Sequence, residues 1–375
     1  MLVLDPKSDP DLEGSLRYHL AAAGRADALR VISDVGGNTS VDMFRANESQ
    51  NARKVADLIA TCLPVDGNNR YWDQFLRSLL RSMIEVIAFV KPDRSYGDFV
   101  EQLEALLLGR REVSGLIEAA EEGISSAPPH VQRSLRSACM DLNAWERLDS
   151  RTRSNHQSMA VIALQALRSA MLEAITKPAR YSFDAEEMLR QGQVVLGRSN
   201  SFLAPAAARL WMSYLKGVAF DALMSRAPGI AAMKKPFAIV SDEFPLSVID
   251  SESRYSDRLA MQILRDRGGI VIAATQGIGA LDIEIGEART NALLANFNSI
   301  LAGRNRDQRT EQYLAGLLGA RYRTVTDEFL APAKEISGGR REVQSVCRRE
   351  RLAPAIRPGL LAELQTGEFV GVLGA

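Results

Sequence analysis

Cysteine and histidine are scarce in this sequence, and it has no long hydrophobic run. The three cysteines, Cys62, Cys139 and Cys347, lie far apart and lack the spacing of metal ligands, which suits a reducing compartment. The three histidines are equally scattered, so we expect no metal site made from cysteine or histidine. No apolar run reaches the roughly 18–20 residues of a membrane span. Met1 opens directly on a predicted strand, so we expect neither signal peptide nor anchor here, and a cytoplasmic location.

Neither sign of charge is in excess, because Lys and Arg total 46 residues and Asp and Glu also total 46. With 46% hydrophobic and 25% charged residues, the composition is that of an ordinary globular protein. Any contact with nucleic acid would therefore need a local basic patch. One candidate is the basic run of Arg340, Arg341, Arg348, Arg349 and Arg351. Phosphate contact and an ordinary solvated loop remain alternative interpretations of this run.

Strands and helices alternate at both ends of the sequence. Short apolar runs predict strands at Met1–Leu4, Leu29–Ile32, Gln193–Gly197, 236–243, Gly269–Ala274, Phe297–Ala302 and Glu368–Leu373. Helical spacing predicts helices at Leu12–Ala23, Ala204–Met224, Ser256–Arg265, Glu284–Asn296 and Gln308–Leu318, the last closed by Gly319. Repeated strand–helix units predict an α/β fold with a mainly parallel sheet.

The middle of the sequence has helical periodicity alone. Apolar residues recur at helical spacing in Val55–Leu63, Trp72–Val90, Phe99–Leu108, Val131–Leu142 and Met159–Ile175. We therefore predict an all-α domain at 49–178, inserted into one discontinuous α/β domain formed by 1–48 and 179–375.

Paired carboxylates end one of the predicted strands. Residues 236–243 form an apolar run that ends in Asp242 and Glu243, and Phe244-Pro245 breaks the chain just after them. A parallel sheet presents such residues at its carboxyl edge, where nucleotide sites form. In phosphoryl-transfer motors, one acid holds the water shell of magnesium while the next polarises an attacking water. The alternative is an acid pair that caps a turn at the sheet edge.

A second apolar strand strengthens the nucleotide hypothesis. Gly269–Ala274 ends in Thr275 and Gln276 about thirty residues further on. A neutral amide can donate and accept hydrogen bonds at once, so Gln276 could sense a γ-phosphate or position a water. A polar strand-end residue bonded to backbone is the alternative. The two strands together indicate a motor ATPase.

Several motifs occur in a fixed order along the chain. They are Leu2-Val3-Leu4-Asp5-Pro6-Lys7-Ser8-Asp9, Asn69–Trp72, Ala238–Phe244, Leu264–Gln276, Leu294–Asn296 with Arg304 and Asp307, Tyr313–Gly319 and Leu364–Phe369. This order resembles the type IV secretion coupling proteins, conjugative DNA-transfer motors of the FtsK/HerA type among the RecA-like ATPases. The family motif usually reads Asp-Pro-Lys-Gly plus an acid, so Ser8 departs from it at the glycine. The resemblance covers nearly the whole chain.

The resemblance implies a RecA-like, P-loop NTPase-type α/β fold with an inserted all-α domain, and ATP and magnesium as cofactors. It implies that Asp242 holds magnesium through water and that Glu243 activates the attacking water. Gln276 would then sense the γ-phosphate. Asp5 and Lys7 would lie at the edge of the neighbouring strand and tune the nucleotide site, with a turn role as the alternative.

An arginine is also expected at the nucleotide of a neighbouring subunit. Arg304 ends a predicted strand, where the resemblance would let it stabilise transition-state charge on that nucleotide. Arg265 and Arg267 are the alternatives for this role, and a solvated surface position is open for each of the three.

The function implied is that of a coupling-protein motor region, which uses ATP hydrolysis to pass single-stranded DNA or a protein–DNA substrate into a secretion channel. The helical domain would meet a relaxase or secreted substrate proteins. In the full-length family member the α/β domain would form a homo-hexameric ring on the cytoplasmic face of the inner membrane. Further partners would be the secretion-channel ATPase and inner-membrane components.

The phosphate-binding loop Gly-x-x-x-x-Gly-Lys-[Ser/Thr] does not occur in the sequence. In the family this loop precedes the Asp-Pro-Lys strand, so we expect a truncated member whose loop lies upstream of Met1. Such a chain would bind ATP poorly and hydrolyse it negligibly by itself, which leaves its standing as an enzyme open. A non-hydrolysing adaptor or remnant of the family, or another FtsK/HerA-type DNA-translocating ATPase, remains an alternative.

Overall fold

A computed structural model describes residues 1–44, 70–250, 256–330 and 343–374 of the chain. The protein divides into two compact units, Met1–Ala274 and Thr275–Ala375. Among the described residues, no helix is long and apolar enough to cross a membrane.

The first unit is built on a five-stranded sheet in which all described neighbours pair in parallel. Its strands, in the spatial order β2-β5-β1-β6-β7, are β1 Leu2–Asp5, β2 Leu29–Ser33, β5 Val194–Arg198, β6 Phe237–Ser241 and β7 Gly269–Ala273. Two short strands, β3 Thr39–Ser40 and β4 Tyr181–Ser182, form a separate parallel pair. The predicted α/β class with a mainly parallel sheet is confirmed. The central strand is β1, and its Leu4 pairs with Gly197 on one side and Ser241 on the other.

Helices surround this sheet and fill the middle of the chain. The longer helices of the first unit are Pro10–Ala22, Arg70–Val90, Tyr96–Leu107, Ser114–Ile124, Pro129–Glu146, Ser150–Leu167, Ala170–Thr176, Ala185–Gln191, Pro205–Met224 and Asp257–Leu264. Between Arg70 and Thr176 the described residues contain helices and no strand. The predicted helix at Val55–Leu63 lies outside the described residues, and the Ser114–Ile124 helix was not predicted.

The predicted helix Met159–Ile175 is two helices in the structure. The Ser150–Leu167 helix ends at Arg168, and Ser169 begins the next helix because its side chain accepts a hydrogen bond from the Met171 N–H. Serine favours such a cap position, and its short side chain competes with the helical backbone. The apolar spacing continued across this break, which hid it in the sequence.

One cluster of buried side chains runs from the sheet into the helical segment. It includes Leu4 of β1, Trp211 and Phe220 of the Pro205–Met224 helix, and Leu142 and Leu164 of the middle helices. The division into an interrupted α/β domain and an all-α domain at 49–178 stays a prediction.

The second unit has four helices among its described residues, Ile278–Ile285, Glu287–Leu294, Gln308–Leu318 and Leu360–Glu363. The structure has Gln308–Leu318 with the predicted bounds, capped by the Asp307 side chain and followed by Gly319 at φ 66°. The predicted helix Glu284–Asn296 is broken at Gly286, whose φ of 81° is a left-handed backbone that favours glycine. Strands β8, Ile300–Ala302, and β11, Val370–Val372, pair in antiparallel fashion.

The largest difference from the sequence prediction is a long antiparallel hairpin in the second unit. Strand β9, Ala320–Leu330, pairs with β10, Val343–Pro354. We had predicted no strand here, and had considered a solvated loop for part of this segment. Arg348, Arg349 and Arg351 of the basic run lie on β10, whereas Arg340 and Arg341 lie outside the described residues.

Candidate functional site

Asp5 ends the central strand and is buried. Its Oδ1 accepts a hydrogen bond from the Lys7 backbone N–H at 3.0 Å, and its Oδ2 accepts one from the Asp9 N–H at 2.7 Å. Burial raises the pKa of the Asp5 carboxyl above its usual range, even though the two backbone hydrogen bonds act to lower it. The contacts of Asp5 are therefore those of a residue that fixes the turn after β1.

Ser8 lies in the same turn, with a left-handed backbone at φ 58°. This conformation is strained for a residue that has a Cβ, whereas glycine adopts it readily. The geometry gives a physical reason for a glycine at this position of the Asp-Pro-Lys-Gly motif. Ser8 keeps the turn conformation at an energetic cost.

The paired acids Asp242 and Glu243 directly follow β6. The Asp242 N–H donates to the Leu4 carbonyl at 3.1 Å, and the Phe244 N–H donates to the Ala274 carbonyl at 2.8 Å. Glu243 lies between these two anchors with φ 45° and ψ 54°, a left-handed backbone that is uncommon for a non-glycine residue. The turn places both acids at the carboxyl edge of the sheet, beside the end of β1.

Lys7 and Glu243 form an ion pair across this edge. The side chain of Lys7 is 45% exposed and that of Glu243 is 14% exposed. The hydrogen bond to Glu243 raises the pKa of the Lys7 ammonium, and the negative charges of Glu243, Asp242 and Asp5 raise it further. The structure thus brings together four of the predicted site residues, Asp5, Lys7, Asp242 and Glu243.

The chemistry of this group fits magnesium bound mainly through water. Among the described residues no cluster of three His, Cys, Asp or Glu side chains is arranged to hold a metal ion by itself. Magnesium keeps several waters and takes one or two protein carboxylates together with phosphate oxygens. Asp242 is half-buried at the edge where nucleotide sites form in parallel sheets, and can serve as such a carboxylate.

A fully buried ion pair supports the loop that follows the acids. Lys216 Nζ lies 2.8 Å from Asp257 Oδ2, and both side chains are at most 1% exposed. The same Asp257 oxygen accepts a hydrogen bond from the Ile249 N–H at 2.6 Å, and the Asp257 N–H donates to the Ile249 carbonyl. Lys216 Nζ also lies 4.6 Å from the centre of the Phe244 ring. The pair therefore fixes both ends of the Phe244–Ile249 segment.

Serine hydroxyls continue this buried polar network. Ser241 Oγ and Ser247 Oγ are 2.7 Å apart, and Ser213 Oγ donates to the Ser247 carbonyl at 3.2 Å. Sequence analysis missed both Lys216 and Asp257. The available signal was the single lysine of the mainly apolar helix predicted at Ala204–Met224.

The second unit holds Gln276 and Arg304, and neighbouring residues connect their segments. The Gln276 carbonyl accepts a hydrogen bond from Asn305 Nδ2 at 2.6 Å. Asp307 Oδ2 accepts from the Gly279 N–H at 3.1 Å and from Thr310 Oγ1 at 2.6 Å. The loop after β7 and the segment after β8 are therefore held together inside this unit.

Asp307 is the centre of these contacts. Burial acts to raise the pKa of its carboxyl, but the hydrogen bonds from Thr310, Gly279 and Arg309 outweigh burial and lower it. A Cβ added to Gly277 would lie 2.7 Å from Asp307 Oδ2, so the close approach at this point requires glycine. That Gln276 senses a γ-phosphate stays a prediction.

The three candidate arginines differ in their surroundings. Arg304 is exposed and directly precedes Asn305. Arg265 and Arg267 precede β7, which places them at the amino edge of the sheet, opposite the edge where Asp242 lies. Arg267 is only partly exposed and donates a hydrogen bond to the Arg226 carbonyl, so it also has a structural contact.

Part of the chain is similar to a known protein family. Residues 253–365 match the family model described as the TraM recognition site of TraD and TraG. No curated protein sequence matches the chain.

Solved structures resemble the chain over its full length. The unbound monoclinic form of the bacterial conjugative coupling protein TrwBdeltaN70 has a TM-score of 0.63 at 15% identity, with 100% of this chain and 82% of that chain covered. The plasmid coupling protein TrwB with the GTP analogue GDPNP gives 0.61 at 16% identity, with the same coverage. TrwB with ADP and Mg²⁺ gives 0.60 at 15% identity, again covering 100% and 82%.

At such low identity these likenesses show the fold alone: the chain shares the fold of TrwB, in agreement with the fold class that we predicted. The resemblance to the type IV coupling proteins is thereby confirmed, by the family model over residues 253–365 and by the fold over the whole chain.

Proposed function

We propose that this chain is the motor region of a type IV coupling protein, which uses ATP hydrolysis to pass single-stranded DNA or a protein–DNA substrate into a secretion channel. The observation that carries the proposal is the position of Asp242 and Glu243. They leave β6 at the carboxyl edge of a five-stranded parallel sheet, next to Asp5 of the central strand and Lys7 of the turn after it. The same fold is found in TrwB, which was solved with ATP and GTP analogues and with ADP and Mg²⁺.

In this proposal Asp242 would hold magnesium through water and Glu243 would accept a proton from the attacking water. The ion pair with Lys7 places an ammonium group beside the Glu243 carboxylate. Lys7 is nearly half exposed, so it can move away from Glu243 at small cost when the pair must open. Asp5 holds the turn that carries Lys7.

The proposal also gives roles to Gln276 and Arg304, which belong to the second unit. Gln276 would contact the γ-phosphate, with its backbone fixed by Asn305. Arg304 would act on the nucleotide of a neighbouring subunit in a homo-hexamer, since a cation placed there stabilises transition-state charge. Its exposed position supports this role.

The partners follow from the same proposal. They are single-stranded DNA, a relaxase or secreted substrate protein met by the helical segment, the secretion-channel ATPase and inner-membrane components. The full-length protein would work at the cytoplasmic face of the inner membrane. A phosphate-binding loop has to complete the site, because no Gly-x-x-x-x-Gly-Lys-[Ser/Thr] motif occurs in these 375 residues.

Two alternatives use the same fold differently. A non-hydrolysing adaptor would keep the scaffold and the partners without needing Glu243 as a base. Another FtsK/HerA-type DNA-translocating ATPase would hydrolyse ATP but would not take part in transfer between cells.

The experiment replaces the gene in its own host by a version that encodes Glu243→Gln and counts DNA transfer per donor cell. Loss of a general base typically slows a reaction about 100- to 10,000-fold, so we expect transfer to fall at least about a hundredfold while the protein level stays unchanged. Glu186→Gln is the matched control, because Glu186 is an exposed glutamate on the Ala185–Gln191 helix.

The outcomes separate the three functions. Unchanged transfer by Glu243→Gln, together with loss of transfer on deletion of the gene, would contradict the motor and support the adaptor. Normal transfer after deletion of the gene would contradict both the coupling-protein motor and the adaptor. It would favour a DNA-translocating ATPase that takes no part in transfer between cells.

A further inference from the structure

The hairpin of β9 and β10 has arginines concentrated on one face. Alternate residues of a strand point to opposite sides, and residues directly opposite in an antiparallel pair share a side. Arg349 and Arg351 of β10, two residues apart, therefore share a face. Arg321, which pairs with Ala353, lies on the same face. We call these three arginines, Arg321, Arg349 and Arg351, the arginine face.

The other face of the hairpin has a different character. Leu352 pairs with Tyr322, and these side chains are 56% and 72% exposed. Arg348 and Glu350 share this side, and their charges are of opposite sign. The positive charge of the hairpin is therefore one-sided, and Arg348 provides an internal comparison on the same strand.

The arginine face is also accessible. Arg321, Arg349 and Arg351 are exposed in the structure, and so is Cys347 on the same face. Guanidinium groups present several donors in a planar fork that matches phosphate oxygens, and arginine is the preferred residue for phosphate contacts. Two-stranded β-ribbons are an established means of contacting nucleic acid.

We propose that the arginine face of the β9–β10 hairpin is a contact surface for the phosphate backbone of single-stranded DNA. This inference rests on the proposed function, because it names the surface with which the motor holds its nucleic-acid substrate. The contact is independent of base sequence, since phosphates carry no sequence information. The hairpin lies within the residues that match the TraM recognition family model, so an acidic protein segment is the competing occupant.

The test measures binding of a fluorescein-labelled, mixed-sequence single-stranded oligonucleotide to the full chain by anisotropy, over a series of salt concentrations. The variant R349Q/R351Q removes two arginines of the face. The control R133Q/R348Q removes the same charge from an exposed helical position and from the opposite face of the hairpin. Circular dichroism confirms that both variants are folded.

We expect R349Q/R351Q to lower affinity about tenfold at 100 mM NaCl and the control to change it less than about twofold. The slope of log K against log salt should become shallower by about 1.4 in the variant, because each single-strand phosphate contact contributes about 0.7. Equal affinity and slope for the two variants would overturn the proposal while leaving the motor function intact.

A second readout uses Cys347, which lies on the arginine face. In a Cys62→Ala background, bound oligonucleotide should slow alkylation of Cys347 at least about fivefold, and should not do so in R349Q/R351Q. No protection of Cys347 despite tight oligonucleotide binding would place the DNA elsewhere and overturn the proposal.

Poly-glutamate serves as the probe for the competing occupant. Binding of poly-glutamate that is lost in R349Q/R351Q, with no binding of oligonucleotide, would assign the face to an acidic protein partner and overturn the DNA assignment. No oligonucleotide binding by the chain under any salt condition would also overturn it. The transfer assay with Glu243→Gln would still decide the motor function by itself.

Discussion

Among individual residues, Ser8 and Glu243 carry the unusual backbone of the candidate site. Both have positive φ, 58° and 45°, and they are the described non-glycine residues with this conformation. They lie in the two turns that follow adjacent strands and that the Lys7–Glu243 ion pair connects. Residues held in sparsely populated conformations concentrate at functional sites. The local strain thus coincides with the residues that the sequence pattern had singled out.

Replacing Ser8 by glycine should stabilise the protein. The left-handed backbone is unfavourable by about 1–2 kcal/mol for a residue with a Cβ, and glycine would remove this strain. Glycine is also more flexible in the unfolded chain, which offsets part of the stabilisation. We expect Ser8→Gly to raise the free energy of unfolding by about 0.5–1 kcal/mol in urea denaturation. Ser8→Ala keeps the Cβ and should give no such gain. An equal gain from both variants would show that the backbone conformation is not the cause.

The Lys216–Asp257 pair should be the most sensitive polar contact of the first unit. Removing one partner of a buried ion pair leaves an uncompensated charge and typically costs about 3–5 kcal/mol. Lys216→Met should therefore lower the free energy of unfolding by about that amount, because Asp257 is buried and also holds the Ile249 N–H.

A double variant separates pairing from packing. Lys216→Met with Asp257→Asn removes both charges and keeps an oxygen for Ile249, so its loss should be smaller than the sum of the two single losses. Additive losses, measured by the same urea denaturation, would mean that the two side chains act independently.

Among the helices and strands, the packing of the Pro205–Met224 helix against β5 depends on a glycine. A Cβ added to Gly197 would lie 3.0 Å from Leu215 Cδ1 and 3.2 Å from ring atoms of Trp211. Both neighbours are fully buried, so they have little room to move. Gly197→Val should therefore lower the free energy of unfolding by about 1–3 kcal/mol.

Gly371 on β11 is not a suitable comparison for Gly197, because a Cβ added there would clash with backbone atoms of Ile300 and not with side chains. The control is Gly316→Ala, at a helical position where an added Cβ meets nothing within 4 Å. Helix propensity favours alanine by up to about 1 kcal/mol, so the control should stabilise. A stable Gly197→Val protein would show that the helix can shift away from β5.

Sequence patterns predicted the elements that a local signal marks. They missed the elements and contacts that depend on residues far away in the sequence. The acid pair after β6 and the Gln308–Leu318 helix were predictable because an apolar run or a cap marks each of them locally. The hairpin was not, because β10 contains the charged run Arg348–Arg351 and most of the described side chains on both strands are exposed. Lys216 and Asp257 are 41 residues apart, and their pairing needs the folded helix.

In the molecule as a whole, the helices between Arg70 and Thr176 share a core with the sheet, and the imidazole of His156 is buried among these helices. His156 is 1% exposed and stacks on Phe75, with a distance of 4.4 Å between ring centres. The Trp145 ring approaches it edge-on at 5.7 Å. Burial lowers the pKa of the His156 imidazole below its ordinary value of 6.5. The folded protein therefore favours the neutral ring.

The direction of the pH effect follows from which state binds the proton first. Above about pH 6.5 the ring is neutral in both states, and His156 contributes no pH dependence. As pH falls below this value the unfolded chain takes up the proton first, so the free energy of unfolding decreases, by at most about 1.4 kcal/mol per pH unit. Asp5 and Asp257 have raised pKa values and act in the opposite direction at more acidic pH.

Comparison with a His156→Phe variant isolates this contribution, since both chains share every other titratable group. Urea denaturation of the two proteins at pH 7.5, 6.0 and 5.0 should show the wild type losing stability relative to the variant as pH decreases. Phenylalanine keeps the ring stacked on Phe75 and cannot be protonated. A difference between the two chains that stays constant from pH 7.5 to 5.0 would mean that the imidazole is protonated equally in the folded and unfolded states, contrary to its burial.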